Sequence, residues 1–193
     1  MMNHIETILA VITGIGLSAA CGFRIFVPLL ALSIANKYGY LALAPGFEWI
    51  GGNYALIAFA SATALEIIAY YIPWLDNVMD AIASPVAIIA GTIATASVIT
   101  DVSPSVRWLL AIIAGGGIAG VIQGATTSLR AKSSLFTGGL GNPLIATAEL
   151  AGAAFIALLA IIIPIICFVL VATFAIYALY KVGRTFSTKM KGK

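Results

Sequence analysis

Apolar residues run along this chain in long blocks, and the polar interruptions between them are short. A helix needs about 20 apolar residues to cross a bilayer. Blocks of that order lie at roughly 7–34, 54–72, 77–100, 105–130, 143–163 and 165–181. The interruptions carry recognisable turn chemistry. Asn36-Lys37-Tyr38-Gly39 closes the first block, and Pro45-Gly46 marks a loop. Pro73-Trp74-Leu75-Asp76 reads as a tight turn, with Asp76 placed to cap the next helix. Asp101-Val102-Ser103-Pro104 separates the third and fourth blocks. Gly138-Gly139-Leu140-Gly141-Asn142-Pro143 forms a glycine-rich loop, with Asn142 suited to N-cap and Pro143 to the first helical position.

Two blocks fit this scheme poorly. The run 7–34 is too long for one upright helix and contains Arg24 and Pro28, so we expect a span to about Phe23 followed by a bent or interfacial segment. The run 143–181 has no polar turn and is divided only by Pro164.

Composition agrees with the pattern. Hydrophobic residues make up 62% of the chain and charged ones 9%, with a mean hydropathy of +1.10. Soluble domains average roughly 45–50% apolar and about 25% charged residues. Ten basic and seven acidic side chains cannot coat a soluble fold of 193 residues. The reading is therefore a single all-α integral membrane domain over 1–193, with about six transmembrane helices. A soluble enzyme is excluded, and a net charge of +3 is too small for a nucleic-acid binder. Cys21 and Cys167 lie in apolar runs and His4 is the one histidine, so no disulfide, metal site or cofactor is expected. The N-terminal run lacks a basic leader region and stays apolar past Cys21, which reads as a retained helix and not a cleaved signal.

Charge placement gives an orientation. Residues 181–193 carry five of the ten basic residues, which reads as a cytoplasmic anchor in touch with anionic lipid. Six crossings put this tail, Arg130 and Lys132 on the N-terminal side, against Lys37 and Arg107 opposite, so both termini are expected in the cytoplasm. Trp49, Tyr70, Tyr71, Trp74, Trp108, Tyr177 and Tyr180 fall near the proposed helix ends, as interfacial aromatics do.

Small residues recur every four positions in two helices: Gly14, Ser18 and Gly22 in the first, Gly116, Gly120 and Gly124 in the fourth. Such stripes let neighbouring backbones approach closely, and a face left open leaves room for a homodimer. An arginine follows each triple, Arg24 and Arg130. The next helices open with Ala62-Thr63-Ala64-Leu65-Glu66 and Ala146-Thr147-Ala148-Glu149-Leu150. Residues 1–101 and 104–193 thus read as two diverged three-helix copies, and an odd number of spans per copy makes them inverted repeats.

Charges inside apolar helices need a reason, because each costs about 2.5–3.5 kcal/mol at the bilayer centre on insertion scales. Glu66 and Glu149 lie inside the second and fifth helices, Arg24 and Gln123 deep in the first and fourth. Asp76 and Asp80 share one face at the start of the third. One reading places these residues on an ion or solute pathway. The other pairs Arg24 with Glu66 and Arg130 with Glu149 as static ties, leaves the aspartates as helix caps, and puts Arg130 at the interface. The loop also reads two ways. Gly138, Gly139, Gly141 and Asn142 either present amides to an anion, as a re-entrant loop would, or form a plain turn. It lacks the Lys-Ser/Thr of a phosphate-binding loop.

The strings Gly16-Leu17-Ser18-Ala19-Ala20-Cys21-Gly22-Phe23-Arg24, Tyr71-Ile72-Pro73-Trp74-Leu75-Asp76-Asn77 and Thr137-Gly138-Gly139-Leu140-Gly141-Asn142-Pro143 resemble a bacterial family of small multi-span membrane proteins, known as a domain of unknown function. The resemblance covers nearly the whole chain. It implies a polytopic protein of the bacterial cytoplasmic membrane and brings no catalytic residues with it. The functional expectation is a non-enzymatic transporter or channel for an ion or small solute, its pathway running between the glycine-lined first and fourth helices. The alternative is a scaffold, assembly factor or lipid-binding protein that transports nothing.

Overall fold

A computed structural model describes residues 4–191, and the side chains of all but 73, 74, 77 and 181–191. These residues fold as helices α1 (His4–Phe23), α2 (Phe26–Lys37), α3 (Asn53–Tyr70), α4 (Pro73–Val98), α5 (Pro104–Leu110), α6 (Gly117–Thr137), α7 (Asn142–Ile162) and α8 (Pro164–Lys191), with one 3-10 turn at Glu48–Gly51. Five segments are long and apolar enough to cross a bilayer: His4–Phe23, Asn53–Tyr70, Val78–Val98, Pro104–Thr137 and Asn142–Ile162. Phe26–Lys37 and Pro164–Tyr180 are shorter apolar helices. The chain is an all-α, multi-pass membrane protein.

The block 7–34 is two helices, and the second reverses the first. Thr95 Oγ1 donates to the Gly14 carbonyl at 2.9 Å, while Gly91 lies against Ser18, so α1 and α4 run antiparallel. From Arg24 the chain turns back. Lys37 Nζ, at the end of α2, bonds Asn53 at 2.8 Å, and the amide of Ile25, just before α2, bonds Glu66 at 2.8 Å. Thus α2 descends along the rising α3. Its exit loop is pinned beside the end of α4, where Ala44 N donates to Ser97 O at 2.7 Å and Arg107 donates to Pro45 O at 3.3 Å. A bend after Phe23 was expected; a reversal within two residues was not.

The reversal changes the topology. Counting α5 and α6 as one rod joined by a π-helical segment, Ala111–Gly116, the helices alternate in sense from α1 to α8. The N-terminal end of α1 and the C-terminal end of α8 therefore lie at opposite ends of the bundle, not at the same end. The repeat reading fails on the same ground. Helices α1 and α6 run in parallel, Ser18 Oγ donating to Gly115 O and Gly22 lying against Ile122. Helices α3 and α7 run in opposite senses, since Tyr71 at the end of α3 meets Thr147 near the start of α7 at 2.7 Å. No single inverted repeat relates both pairs. The 143–181 run does divide at Pro164: Ile163 alone separates α7 from α8.

The core is built on small residues. Ala19, Ala20, Ala87, Ala94, Ala96, Ala157 and Ala160 are fully buried around α1. Glycine is required where helices touch. A Cβ on Gly16 would stand 2.7 Å from Ala160 Cβ, and one on Gly22 would stand 2.6 Å from Ile122 Cβ. This packing closes the α1–α6 interface and leaves no pathway between the glycine faces. Gly116 and Gly120 face Ile88 of α4, whereas Gly124 has nothing within 4 Å.

Candidate functional site

The end of the bundle where α3 and α6 finish and α4 and α7 begin holds most of the buried charge. Asp80, Arg130 and Glu149 each stand seven positions from a helix end, at Pro73, Thr137 and Asn142. At 1.5 Å per residue this sets all three about 10 Å beneath that end of the bundle. The α1–α2 turn arrives at the same depth and brings Arg24 with it.

Arg130 is the hub. Its Nη2 meets Glu149 Oε2 at 2.6 Å and its Nη1 lies 3.0 Å from Asp80 Oδ1. Arg24 lies 3.7 Å from the same Glu149 oxygen and donates to the Ala146 carbonyl at 2.8 Å. Both arginines are 1% exposed. Both lie over the ring of Tyr70, with the Arg24 guanidinium 3.9 Å and that of Arg130 4.2 Å from its centroid. The negative face of an aromatic ring attracts a cation, so one ring holds two like charges in place. Desolvating such charges costs several kcal/mol per ion, recovered only by close pairing and further hydrogen bonds.

Glu66 is satisfied differently. Its two oxygens accept from the backbone amides of Ile25 at 2.8 Å and Phe26 at 3.1 Å. The first amides of a helix have no intrahelical acceptor, and the helix dipole favours an anion there. Glu66 thus caps α2 from a neighbouring helix, and the expected Arg24–Glu66 pair is replaced by Arg24–Glu149. Asp76, 2% exposed in the first turn of α4, accepts from Asn142 Nδ2 at 2.8 Å; that same nitrogen reaches Ser134 Oγ at 3.0 Å.

Of the residues read from the sequence, Arg24, Glu66, Asp76, Asp80 and Glu149 come together here, with Asn142 drawn in from the loop. Gln123 does not join them: it is buried on α6 and bonds Thr127 on its own helix at 3.3 Å. Arg130 is 1% exposed and enclosed by Glu149, Asp80 and the Tyr70 ring. Tyr70 is not an interfacial aromatic, being 4% exposed in the cluster. Asp76 makes no cap hydrogen bond to α4, whose N-cap is Ile72. The side chain of Trp74 and those of the basic tail lie outside the described residues.

The glycine loop is a plain turn. Gly138 and Gly139 take φ of +63° and +91°, a region that favours glycine. The amides of Leu140, Gly141 and Asn142 donate to Thr137 O, Thr137 Oγ1 and Gly139 O, so the turn spends these three donors on itself. Non-helical backbone is tolerated at membrane depth where protein buries it, and here that backbone is the α1–α2 turn.

Beside the cluster lies a cavity of about 390 Å³ between α1, α6, α7 and α8. Phe23, Leu129, Ile145, Ala148 and Phe174 line it, with Glu149 in the wall. Leu129 and Phe174 are more than two-fifths exposed, so the cavity opens on the outer, apolar surface of the bundle. Among the described residues, no group of three or more His, Cys, Asp or Glu side chains is arranged to hold a metal ion.

Residues 11–184 match the family model described as a domain of unknown function, DUF4126. No curated protein and no solved structure matches the chain.

Proposed function

We propose, for a chain that belongs to the DUF4126 family and takes no activity from it, that the protein is a non-enzymatic membrane transporter or channel for an ion or small solute. On this reading α1 and α2 form a re-entrant hairpin and the remaining helices make five crossings. The observation that carries the reading is the charged cluster: four carboxylates and two guanidiniums from four helices and the α1–α2 turn, with Asp80, Arg130 and Glu149 about 10 Å inside the bundle. Ionisable groups at such depth are costly and in membrane proteins mark ion and substrate routes. The pathway passes through the cluster, with Glu149 and Glu66 as its central polar groups. The closed interface between α1 and α6 takes no part. By the excess of basic residues, the end bearing Lys132 and the tail is cytoplasmic, in a bacterial inner membrane. The uncrowded face around Gly124 leaves room for a second copy of the chain.

The test is flux of protons, sodium and potassium in proteoliposomes, read with a pH dye and a potential dye. Flux that disappears in a folded Glu149→Gln variant is the expected result. Absence of flux from the folded natural protein favours a second reading, a lipid-binding protein that transports nothing. Two observations support that alternative: the tight Arg130–Glu149 pair, and the cavity walled by apolar side chains on the bundle's outer surface.

A further inference from the structure

The cavity beside the charged cluster is walled by apolar helices and has the volume of a small-molecule site, about 390 Å³. Phe23 and Ile145 are half-buried in it, while Leu129, Leu144, Ala148 and Phe174 are exposed at its mouth. The rings of Phe23 and Phe174 approach to 6.2 Å between centroids, which joins the α1 and α8 walls. The polar side chains in the wall are already engaged. Thr126 donates to Gln123 O of its own helix at 3.0 Å, and Glu149, 4% exposed, meets Arg130 at 2.6 Å. Water finds too few polar partners in such a place, and apolar lining atoms without neighbours forfeit their dispersion contacts. Outside the mouth the medium is lipid, so a hydrocarbon chain is the occupant that fits.

The position of the mouth says which lipid. Leu129 stands eight positions before Thr137, the last residue of α6. At 1.5 Å per residue this sets it about 12 Å beneath that end of the bundle. Lys132 follows three positions later, on the same face of α6 and nearer the end, and it is exposed. Among the described residues it forms no ion pair. Its long stem lets the ammonium reach toward the headgroup level while the chain below stays apolar. A lipid whose hydrocarbon tail enters over Leu129 therefore brings its phosphate past a basic side chain. A basic residue at that level favours an anionic headgroup over a zwitterionic one.

We infer that the cavity between α1, α6, α7 and α8 is a binding site for one acyl chain of an anionic phospholipid, with Lys132 meeting its headgroup. The chain lies against Leu129, Ile145, Ala148 and the Phe23–Phe174 pair. The site is separate from the proposed pathway, which runs through the cluster behind Glu149. Flux decides that pathway and lipid retention decides this site, so either fails without the other.

The experiment counts lipids retained by the purified full chain in detergent, by native mass spectrometry, after mixing with equal amounts of dioleoyl phosphatidylglycerol and dioleoyl phosphatidylcholine. The expected result is one retained phospholipid per chain, phosphatidylglycerol in preference. Ala148→Phe fills the cavity and is expected to lose that lipid. Lys132→Gln is expected to keep a lipid but lower the preference for phosphatidylglycerol roughly fivefold. No retained lipid, or equal retention by a folded Ala148→Phe, overturns the site; an unchanged preference in Lys132→Gln overturns the headgroup contact and with it the anionic assignment. Where Ala148→Phe does not fold, phosphatidylglycerol carrying a diazirine on its acyl chain is photolysed with the natural protein. Adducts concentrated on Leu129, Ile145 and Phe174 support the site, and adducts spread evenly over the outer surface overturn it.

Discussion

Helix α1 is held in two different ways along its length. From Gly14 to Gly22 it is held without charge: glycine and alanine let α4, α6 and α7 come close, and Thr95 and Ser18 bond across the gaps. At Arg24 it is held by charge, with the guanidinium stacked on Tyr70 and aimed at Glu149 and the Ala146 carbonyl. The first region is uncharged and self-sufficient, since its approaches rest on dispersion, shape and neutral hydrogen bonds. The second depends on partners from several elements. Loss of one leaves another charge buried without compensation. The difference separates the part of the molecule that builds the bundle from the part that has a use for polarity.

The comparison can be broken at its charged end most easily. Arg130→Met removes the counter-charge of both Glu149 and Asp80, and breaking a buried pair from one side costs about 3–5 kcal/mol. Thermal unfolding in detergent checks this. Adding Glu149→Gln to Arg130→Met is expected to restore part of the loss, because the orphaned charge goes too. At the packed end the expected effects are smaller and of both signs. Gly22→Ala forces a Cβ to within 2.6 Å of Ile122 Cβ and 2.7 Å of Ala119 O, and overpacking of that kind costs about 1–3 kcal/mol. Gly124→Ala meets nothing within 4 Å and is expected to stabilise the helix by roughly 0.5–1 kcal/mol. Equal losses at the two glycines would erase the distinction between a packed face and an open one.

Much of this was legible in the sequence. Apolar block length and turn residues place most helix ends, and Pro164 places the α7–α8 break. The buried acids and arginines stand out because an apolar helix carries so few charges. The reversal at Arg24–Ile25 was not legible, because it is made without glycine or proline at the turn. Its signal lies in Glu66, an acid with no basic partner near it in sequence, which supplies the acceptor that the amides of Ile25 and Phe26 lack. Tyr70 was misplaced for a similar reason. An aromatic at a helix end reads as interfacial until the neighbouring helices are seen to extend past it. The repeat failed because glycine stripes and alanine-rich strings report close packing, which recurs without symmetry.

The reversal is what brings Arg24 and the start of α2 into the cluster, so its sidedness is the measurement to make. In a background with Cys21 and Cys167 replaced by alanine, single cysteines at Glu6, Tyr38 and Leu140, all exposed, are labelled in sealed vesicles with an impermeant maleimide. The account predicts that Glu6→Cys and Tyr38→Cys react from one side and Leu140→Cys from the other. Tyr38→Cys reacting together with Leu140→Cys, and opposite to Glu6→Cys, would mean that residues 7–34 cross the membrane once, and would contradict it.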